Sequence, residues 1–184
     1  VSAMDILPTV FEVNGIEIPK NVDGISMLPL LLGKTYTGRN FIFTQFFETS
    51  AAIRFPMRCI QDKRYGYIFN PWADGKRTFK NESQTGRTYT AMVDLAETNK
   101  EAAERVDFFL HRTIEEFYDF NSDPDALHNL ISDPLYRTVI DSFRIALGNW
   151  MRDNGDSAYR PFINRGKSEV LNTFVEQQQR EADI

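Results

Sequence analysis

The chain has 184 residues, of which 42% are apolar and 26% charged, a composition typical of one globular domain, or of one domain and a small part. Its net charge of -5 argues against a nucleic-acid-binding surface, which is usually basic, and no apolar run approaches the roughly 20 residues of a membrane helix. The single cysteine, Cys59, excludes an intrachain disulfide and a cysteine-rich metal site. The chain opens with Val1-Ser2 just before a predicted helix. We interpret that start as a cut inside a longer protein, so it carries no targeting information.

Two helices are predicted in the first 33 residues. Ile6, Val10 and Val13 recur at helical spacing, and Gly15 is a natural stop. A shorter helix is predicted between Ser26, a plausible cap, and Gly33. Because its sequence MLPLLL is almost entirely apolar, we expect this second helix to be buried.

Three strands are predicted next. The sequence FIFTQFF (41–47) is aromatic and β-branched, which predicts a buried strand. Residues 56–62 and 64–70 predict two further strands, joined as a hairpin by the tight connection 62–63. Residues 71–88 are rich in Gly, Lys, Arg, Asn and Ser, and we expect a long excursion there.

The second half of the chain predicts helices on either side of a fourth strand. Apolar residues have helical spacing within 89–112, and EEFYDF (115–120) predicts the strand. Residues 121–124 form a dense turn signal. A helix is predicted from 134 to about 154, with an apolar stripe that packs on the sheet. Residues 160–184 are expected to form a polar tail with one possible short helix.

Few side chains in this sequence suggest catalysis. His111 and His128 lie on different predicted elements and lack a spaced metal-binding partner. Cys59 lies in the middle of a predicted strand, where a buried and inert thiol is expected. The sequence contains no nucleophile elbow, P-loop or dinucleotide fingerprint.

Several blocks of the sequence resemble motifs of the sulfatase family. EEFYDFNSDPDALHNL is similar to a strand E-L-Y-D-L followed by a turn D-P-x-E-x-x-N-L, and PMRCIQDKRYGYIFN is similar to P-M-R-x-x-R-x-x-R-Y-K-Y-I-x-N. The first two predicted helices resemble S-x-x-D-x-x-P-T-x-x-x-x-x-G and P-x-x-x-x-G-x-S-L-L-P-L-L-x-G, and WMRDNGD resembles W-x-x-x-T-x-D with Asn in place of Thr. The matching positions are Ser2, Asp5, Pro8, Thr9, Gly15, Pro19, Asp23, Gly24, Ser26, Leu28, Pro29, Leu30, Leu31, Gly33, Pro56, Met57, Arg58, Arg64, Tyr65, Tyr67, Ile68, Asn70, Glu116, Tyr118, Asp119, Asp123, Pro124, Asn129, Leu130, Trp150 and Asp156.

The resemblance implies an α+β fold for the C-terminal region of a sulfatase, closest to the N-sulfoglucosamine sulfohydrolase (heparan N-sulfatase) type. We expect a four-stranded antiparallel sheet with a packed C-terminal helix, preceded by a helical remnant of the α/β catalytic domain of the alkaline-phosphatase-like superfamily. Residues 1–39 would be the end of the catalytic domain, 40–156 the C-terminal subdomain and 157–184 a polar tail. In the family the motif around EEFYDF is structural, so a structural role is expected here too.

The resemblance also implies that the catalytic parts lie outside this chain. Sulfatases need a C/S-x-P-x-R motif, matured to formylglycine, and a calcium site of Asp and Asn side chains. Neither is expected among these residues, because Cys59 is followed by Ile60-Gln61-Asp62. The expected partners are therefore a sulfated saccharide and the missing N-terminal catalytic domain, and export to a periplasmic or lysosomal-type compartment is suggested. No contact with nucleic acid or a membrane is expected.

The loop ETSAAIRFPMR (48–58) is the best candidate for function within this chain. In the resembling enzymes the loop before P-M-R reaches over the catalytic pocket and helps select the sugar. Glu48, Thr49 and Arg58 are the substrate-binding candidates, with Glu48 matching an acid that could bind sugar hydroxyls or an amine. The alternative is that Glu48 is simply a solvated acid, since loops commonly carry both ligand-binding residues and solvated ones.

Two other functions are left open by the sequence. The chain could be a free-standing carbohydrate-binding or interaction module, for which an exposed Trp72 would be the aromatic platform. It could also belong to a phosphoesterase of the same superfamily, which a Thr or Ser nucleophile with two metals upstream of Val1 would reveal.

Overall fold

The computed structural model describes residues 1–183 and divides the chain into two compact units, which meet in sequence between Ile42 and Phe43. In the first unit the two predicted helices are confirmed as α1, Ile6–Val13, and α2, Leu28–Leu31. The expectation that the second helix is buried is wrong. Leu31 is 68% exposed, and no residue of α2 is buried. A helix of four residues can pack against α1 on one side only, so its other side chains stay exposed.

The carboxylate of Asp5 organises the first unit. It is fully buried and accepts hydrogen bonds from the backbone N–H groups of Ser2 (2.7 Å) and Ile25 (2.9 Å) and from Nη1 of Arg39 (2.8 Å). Burial alone would raise the pKa of Asp5, but these donors hold it below its ordinary value. Asp5 therefore ties the start of α1 to the loop that precedes α2.

Gly24 allows the same loop to approach α1. A Cβ atom at this position would lie 2.1 Å from the carbonyl oxygen of Met4, so no other residue fits there. The hydroxyl of Thr9 donates to the carbonyl of Asp5 (2.6 Å) and accepts from the N–H of Met27 (2.8 Å). These contacts explain the spacing of the N-terminal motif by packing alone.

The second unit contains the predicted sheet. Its strands are β1, Ile42–Glu48; β2, Arg54–Gln61; β3, Tyr65–Phe69; and β4, Glu115–Asp119. They are arranged in the order β1-β2-β3-β4, with antiparallel pairing of β2 with β3 and of β3 with β4. The predicted four-stranded α+β fold is confirmed.

The prediction that the first strand is buried is wrong. Residues 44–48 of β1 are all exposed, including Phe46 (36%) and Phe47 (37%). Edge position alone does not explain this exposure, because β4 is also an edge strand and is buried; exposure depends on which other elements cover each strand. Aromatic content predicted the strand but not its place in the sheet.

The helical stretch predicted between residues 89 and 112 is divided into two helices. They are α3, Arg87–Ala96, and α4, Lys100–Leu110, which pack against each other. Asn99 separates them, since its side chain accepts the N–H of Ala102 (2.9 Å) and caps α4.

The C-terminal part of the chain is more ordered than a polar tail. Helix α5, Arg137–Asp153, packs on β2 and β3 as predicted. Two further helices follow, α6, Tyr159–Ile163, and α7, Ser168–Ala182. Helix α7 buries Leu171, Phe174 and Val175 and packs on β2. These three apolar residues are spaced three and four apart, so they form one helical face despite the polar composition.

The excursion after β3 supplies part of the core. Trp72 is fully buried, stacks on Phe79 with ring centroids 5.4 Å apart, and meets Phe55 of β2 edge to face at 5.0 Å. Such aromatic pairs add stability beyond the area they bury. Trp72 is therefore a core residue and cannot be the exposed sugar-binding platform considered above.

Candidate functional site

A buried ion pair joins two of the sequence motifs across 98 residues of chain. Nε and Nη2 of Arg58 in β2 donate to the two carboxylate oxygens of Asp156, at 2.6 and 2.8 Å. The exposed fractions of the two side chains are 2% and 4%. Nη1 of Arg58 donates to the carbonyl of Met57 (2.9 Å), and its guanidinium lies over the ring of Phe47. Arg58 therefore fastens the end of the α5 region to the sheet.

A second polar cluster surrounds Glu116 of β4. Its fully buried carboxylate accepts from the guanidinium of Arg112, from the hydroxyl of Tyr118 (2.8 Å) and from Nδ2 of Asn70 (2.7 Å). Burial and the neighbouring Glu116 raise the pKa of Tyr118 well above its ordinary value, so the phenol stays a donor. The cluster links β4 to the end of β3.

The carboxylate of Glu115 forms ion pairs with two arginines, one in α5 and one that follows α6. Nε of Arg144 and Nε of Arg165 each lie 2.8 Å from its Oε1, and the hydroxyl of Tyr67 lies 2.5 Å from the same oxygen. Burial would raise the pKa of Glu115, but the bonds from Arg144 and Tyr67 and the charges of both arginines lower it. Glu115 thus anchors α5 and the end of α6 to β4.

The turn after β4 is held by the remaining motif residues. Asp119 accepts from the guanidinium of Arg64 (2.8 Å), and this bond lowers the pKa of Asp119. Asn129 returns to the strand, where its Oδ1 accepts the N–H of Phe117 (3.0 Å) and its Nδ2 donates to the carbonyl of Glu115 (3.2 Å). The bonds of these residues all lie within the chain, which is what a structural role for the turn would require.

The candidate loop connects β1 to β2 by a tight turn. The N–H of Thr49 donates to the carbonyl of Ile53 (3.1 Å), and the N–H of Ala52 donates to the carbonyl of Thr49 (3.0 Å). Ala52 adopts φ = 57°, a left-handed conformation that is uncommon for alanine. Glu48 and Arg54 flank the turn, and the carboxylate of Glu48 lies 3.2 Å from Nε of Arg54.

Two residues outside the loop brace it. Gln179 of α7 accepts the N–H of Arg54 (3.0 Å) and donates to the carbonyl of Ala52 (3.2 Å). On the other side Oε1 of Glu82 accepts the N–H of Ser50 (2.7 Å). Sequence reasoning missed both residues, because nothing in a polar helix or a solvated excursion marks the one side chain that reaches a distant loop.

The three predicted substrate-binding residues have different surroundings. The side chain of Glu48 is 44% exposed at the end of β1. Thr49 is buried to 7% exposure, and its hydroxyl has no hydrogen-bond partner within the described chain. Arg58 is buried and bonded to Asp156. The structure brings Glu48 and Thr49 together in one loop, whereas Arg58 could touch a ligand only by giving up its internal partner.

Formylglycine and calcium do not fit the residues that the structure describes. Among residues 1–183, no group of three or more His, Cys, Asp or Glu side chains could hold a metal ion. His111 lies 2.9 Å from Asp107 of the preceding turn. Burial raises the pKa of Cys59, which keeps its thiol protonated. Within the same residues, no helix is long and apolar enough to cross a membrane.

Comparison with known proteins identifies sulfatases among the relatives of this chain. The chain is 32% identical over 163 residues to an ulvan-active sulfatase of Formosa agariphila, a match that covers 83% of the chain and 29% of the relative. It is 22% identical over 154 residues to a Δ4,5-hexuronate-2-O-sulfatase of Bacteroides thetaiotaomicron, covering 83% of the chain and 24% of the relative. The chain is homologous to sulfatases.

Solved structures agree with this relationship at the level of the fold. A 2-O GAG sulfatase superposes with a TM-score of 0.57 at 22% identity, over 85% of this chain and 25% of the other. No protein-family model matches the chain. The chain spans less than a third of the length of its sulfatase relatives, which is consistent with the predicted C-terminal sulfatase region.

Proposed function

We propose that the protein containing this chain is a sulfatase that removes sulfate from a sulfated saccharide, and that this chain supplies structure and one wall of the substrate pocket. The observation that carries the proposal is an exposed acid, Glu48, on a loop braced from two sides within a sulfatase-related fold. Rigid loops on a packed scaffold are a common location for specificity. The rival sugar-binding module loses its candidate platform, since Trp72 is buried.

The catalytic groups are assigned to parts of the protein outside this chain. Formylglycine and calcium are proposed for the complete protein, because the sulfatase relatives are more than three times as long as the match. We therefore expect the chain alone to release no sulfate from an aryl sulfate, with or without calcium. Turnover by the purified chain that Cys59→Ala abolishes would contradict this assignment. The family resemblance also favours export, which fractionation of cells expressing the complete protein would test.

The sulfated sugar that the protein acts on is proposed to be an N-sulfoglucosamine or another glycan sulfate. The sequence resemblance favours an N-sulfoglucosamine, as in heparan-type glycans, whereas the sulfatase relatives are named for ulvan and for the 2-O position of a hexuronate. To distinguish these substrates, we would measure how fast the complete protein releases sulfate from N-sulfated glucosamine and from a 2-O-sulfated uronate. We expect activity on one class and much weaker activity on the other.

Glu48 is proposed to bind the sugar rather than to take part in breaking the sulfate ester. In the complete protein, Glu48→Gln should lower kcat/KM for a sulfated disaccharide roughly ten- to a hundredfold, because a charged hydrogen bond contributes about 1.5–3 kcal/mol and about 1.4 kcal/mol is a tenfold change. A small aryl sulfate has no sugar hydroxyl at this position, so its turnover should be nearly unchanged. Thr49 and Arg58 are proposed to position the loop, Thr49 within the turn and Arg58 through Asp156.

Glu97→Gln is the matched control for this experiment. Glu97 is an exposed acid that caps the C-terminal end of α3, and its substitution should leave both substrates unaffected. Equal losses on both substrates for Glu48→Gln would indicate a structural role instead. Unchanged kinetics on both would show that Glu48 is a solvated acid.

A further inference from the structure

A groove of about 370 Å³ lies beside the candidate loop. Thr49, Ser50 and Ile53 of the loop form one wall, and Lys80 and Glu82 of the excursion after β3 form the other. The hydrogen bond from the N–H of Ser50 to Glu82 (2.7 Å) fixes the two walls to each other. The groove is therefore a built feature of the second unit rather than a gap between mobile segments.

Two polar groups of this groove have no partner within residues 1–183. The hydroxyl of Thr49 is buried without a hydrogen bond, although buried polar groups are nearly always paired. The ammonium group of Lys80 is exposed and makes no ion pair with a described residue. The hydroxyl of Thr49 is too buried to meet a ligand directly, whereas the exposed cation of Lys80 can bind a partner from outside the chain.

The remaining chemistry of the groove suits one sugar ring. Ile53, which is 37% exposed, offers an apolar surface for the C–H face of a pyranose. The carboxylate of Glu82, which is held by Ser50, has several lone pairs, so it can also accept a sugar hydroxyl. Donors and acceptors arranged around an apolar wall are typical of small-molecule sites.

We propose that this groove is a second saccharide subsite, which binds the unit next to the sulfated sugar and pairs Lys80 with an anionic substituent of that unit. The subsite rests on the proposed function, because Glu48 precedes Thr49 directly and would hold the sugar that is hydrolysed. A carboxylate and a sulfate group both offer the oxygens that Lys80 would bind. The subsite would make the enzyme select for charge one unit away from the reacting bond.

The test uses the complete protein and three sulfated disaccharides, whose second unit carries a carboxylate, a sulfate or no charge. Lys80→Gln should lower kcat/KM roughly fivefold for the charged second units, as expected for one exposed ion pair, and leave the uncharged one unchanged. Which of the two charged disaccharides loses more identifies the substituent. Lys80→Arg should restore most of the loss. Lys76→Gln is the matched control, since Lys76 is an exposed lysine of the same excursion that does not line the groove.

Equal losses on all three disaccharides, or no loss on any, would overturn the subsite while leaving the role of Glu48 intact. If the complete protein releases no sulfate at all, the subsite can still be tested by measuring the binding of the same disaccharides by calorimetric titration. Weaker binding of only the charged ones by Lys80→Gln would support the subsite, and identical binding by wild type and variant would overturn it.

Discussion

Removal of one charge from the buried pair Arg58–Asp156 gives a demanding test of the fold. Asp156→Asn keeps the shape of the side chain but leaves the guanidinium of Arg58 without a counter-charge, at an exposed fraction of 2%. Breaking a buried pair by removing one partner costs about 3–5 kcal/mol. Because the amide oxygen can still accept one N–H of Arg58, we expect a loss near the lower end, about 3 kcal/mol. For a chain of this size that loss corresponds to a decrease in Tm of about 6–12 °C.

Thermal and urea denaturation of the chain measure this loss, and Asp153→Asn provides the control. Asp153 is a 62% exposed acid at the end of α5, paired with the neighbouring Arg152, so its substitution should change the free energy of unfolding by less than about 0.5 kcal/mol. In an Arg58→Met background the cost of Asp156→Asn should fall by at least about 1 kcal/mol. A loss below about 1 kcal/mol in the single variant would refute the reasoning, because it would mean that the pair does not fasten the α5 region to the sheet.

Two further variants test the core and the Glu115 cluster. Trp72→Ala should lower the free energy of unfolding by about 3–5 kcal/mol, as for other buried aromatic residues, whereas unchanged stability in urea denaturation would restore Trp72 as a surface platform. Glu115→Gln should cost about 2 kcal/mol at pH 7, because charged hydrogen bonds from Arg144 and Arg165 are lost. Since the folded-state pKa of Glu115 is lowered, its contribution is present above the unfolded pKa and is lost as the pH falls through the folded value. The Tm difference between wild type and variant should therefore shrink as the pH falls below the ordinary pKa of a glutamate, about 4.3, and a pH-independent difference would contradict the cause.

Strands β1, β3 and β4 could be predicted from sequence because each contains several aromatic residues; β2 has fewer and was predicted as the partner of β3 in a hairpin. The edge position of β1 could not be predicted, since the same run of aromatic residues fits a central or an edge strand. The break at Asn99 lay within a continuous helical pattern, where a cap and an interior polar residue look alike. Local periodicity thus predicted element types, while the position of each element depended on its partners.

The candidate site was only partly predictable for the same reason. Glu48 and Thr49 were located by a motif next to them in sequence. Gln179, by contrast, is 125 residues from its partner Arg54, and the apolar face of α7 is masked by a polar composition. The resemblance to sulfatases identified the loop, but it gave no information on which distant side chains brace it.

The internal bonds of the motif residues also limit where substrate specificity can lie. Asp5, Arg58 and Glu116 are buried, and each is bonded to other residues of the chain. A change at any of them leaves a buried polar group or charge unpaired, which is strongly unfavourable, so they suit one fold shared by enzymes with different substrates. Side chains that can change without unfolding the chain are exposed ones, such as Glu48 and Lys80. The motif residues therefore maintain the fold, and we expect the residues between the motifs to determine which saccharide is bound.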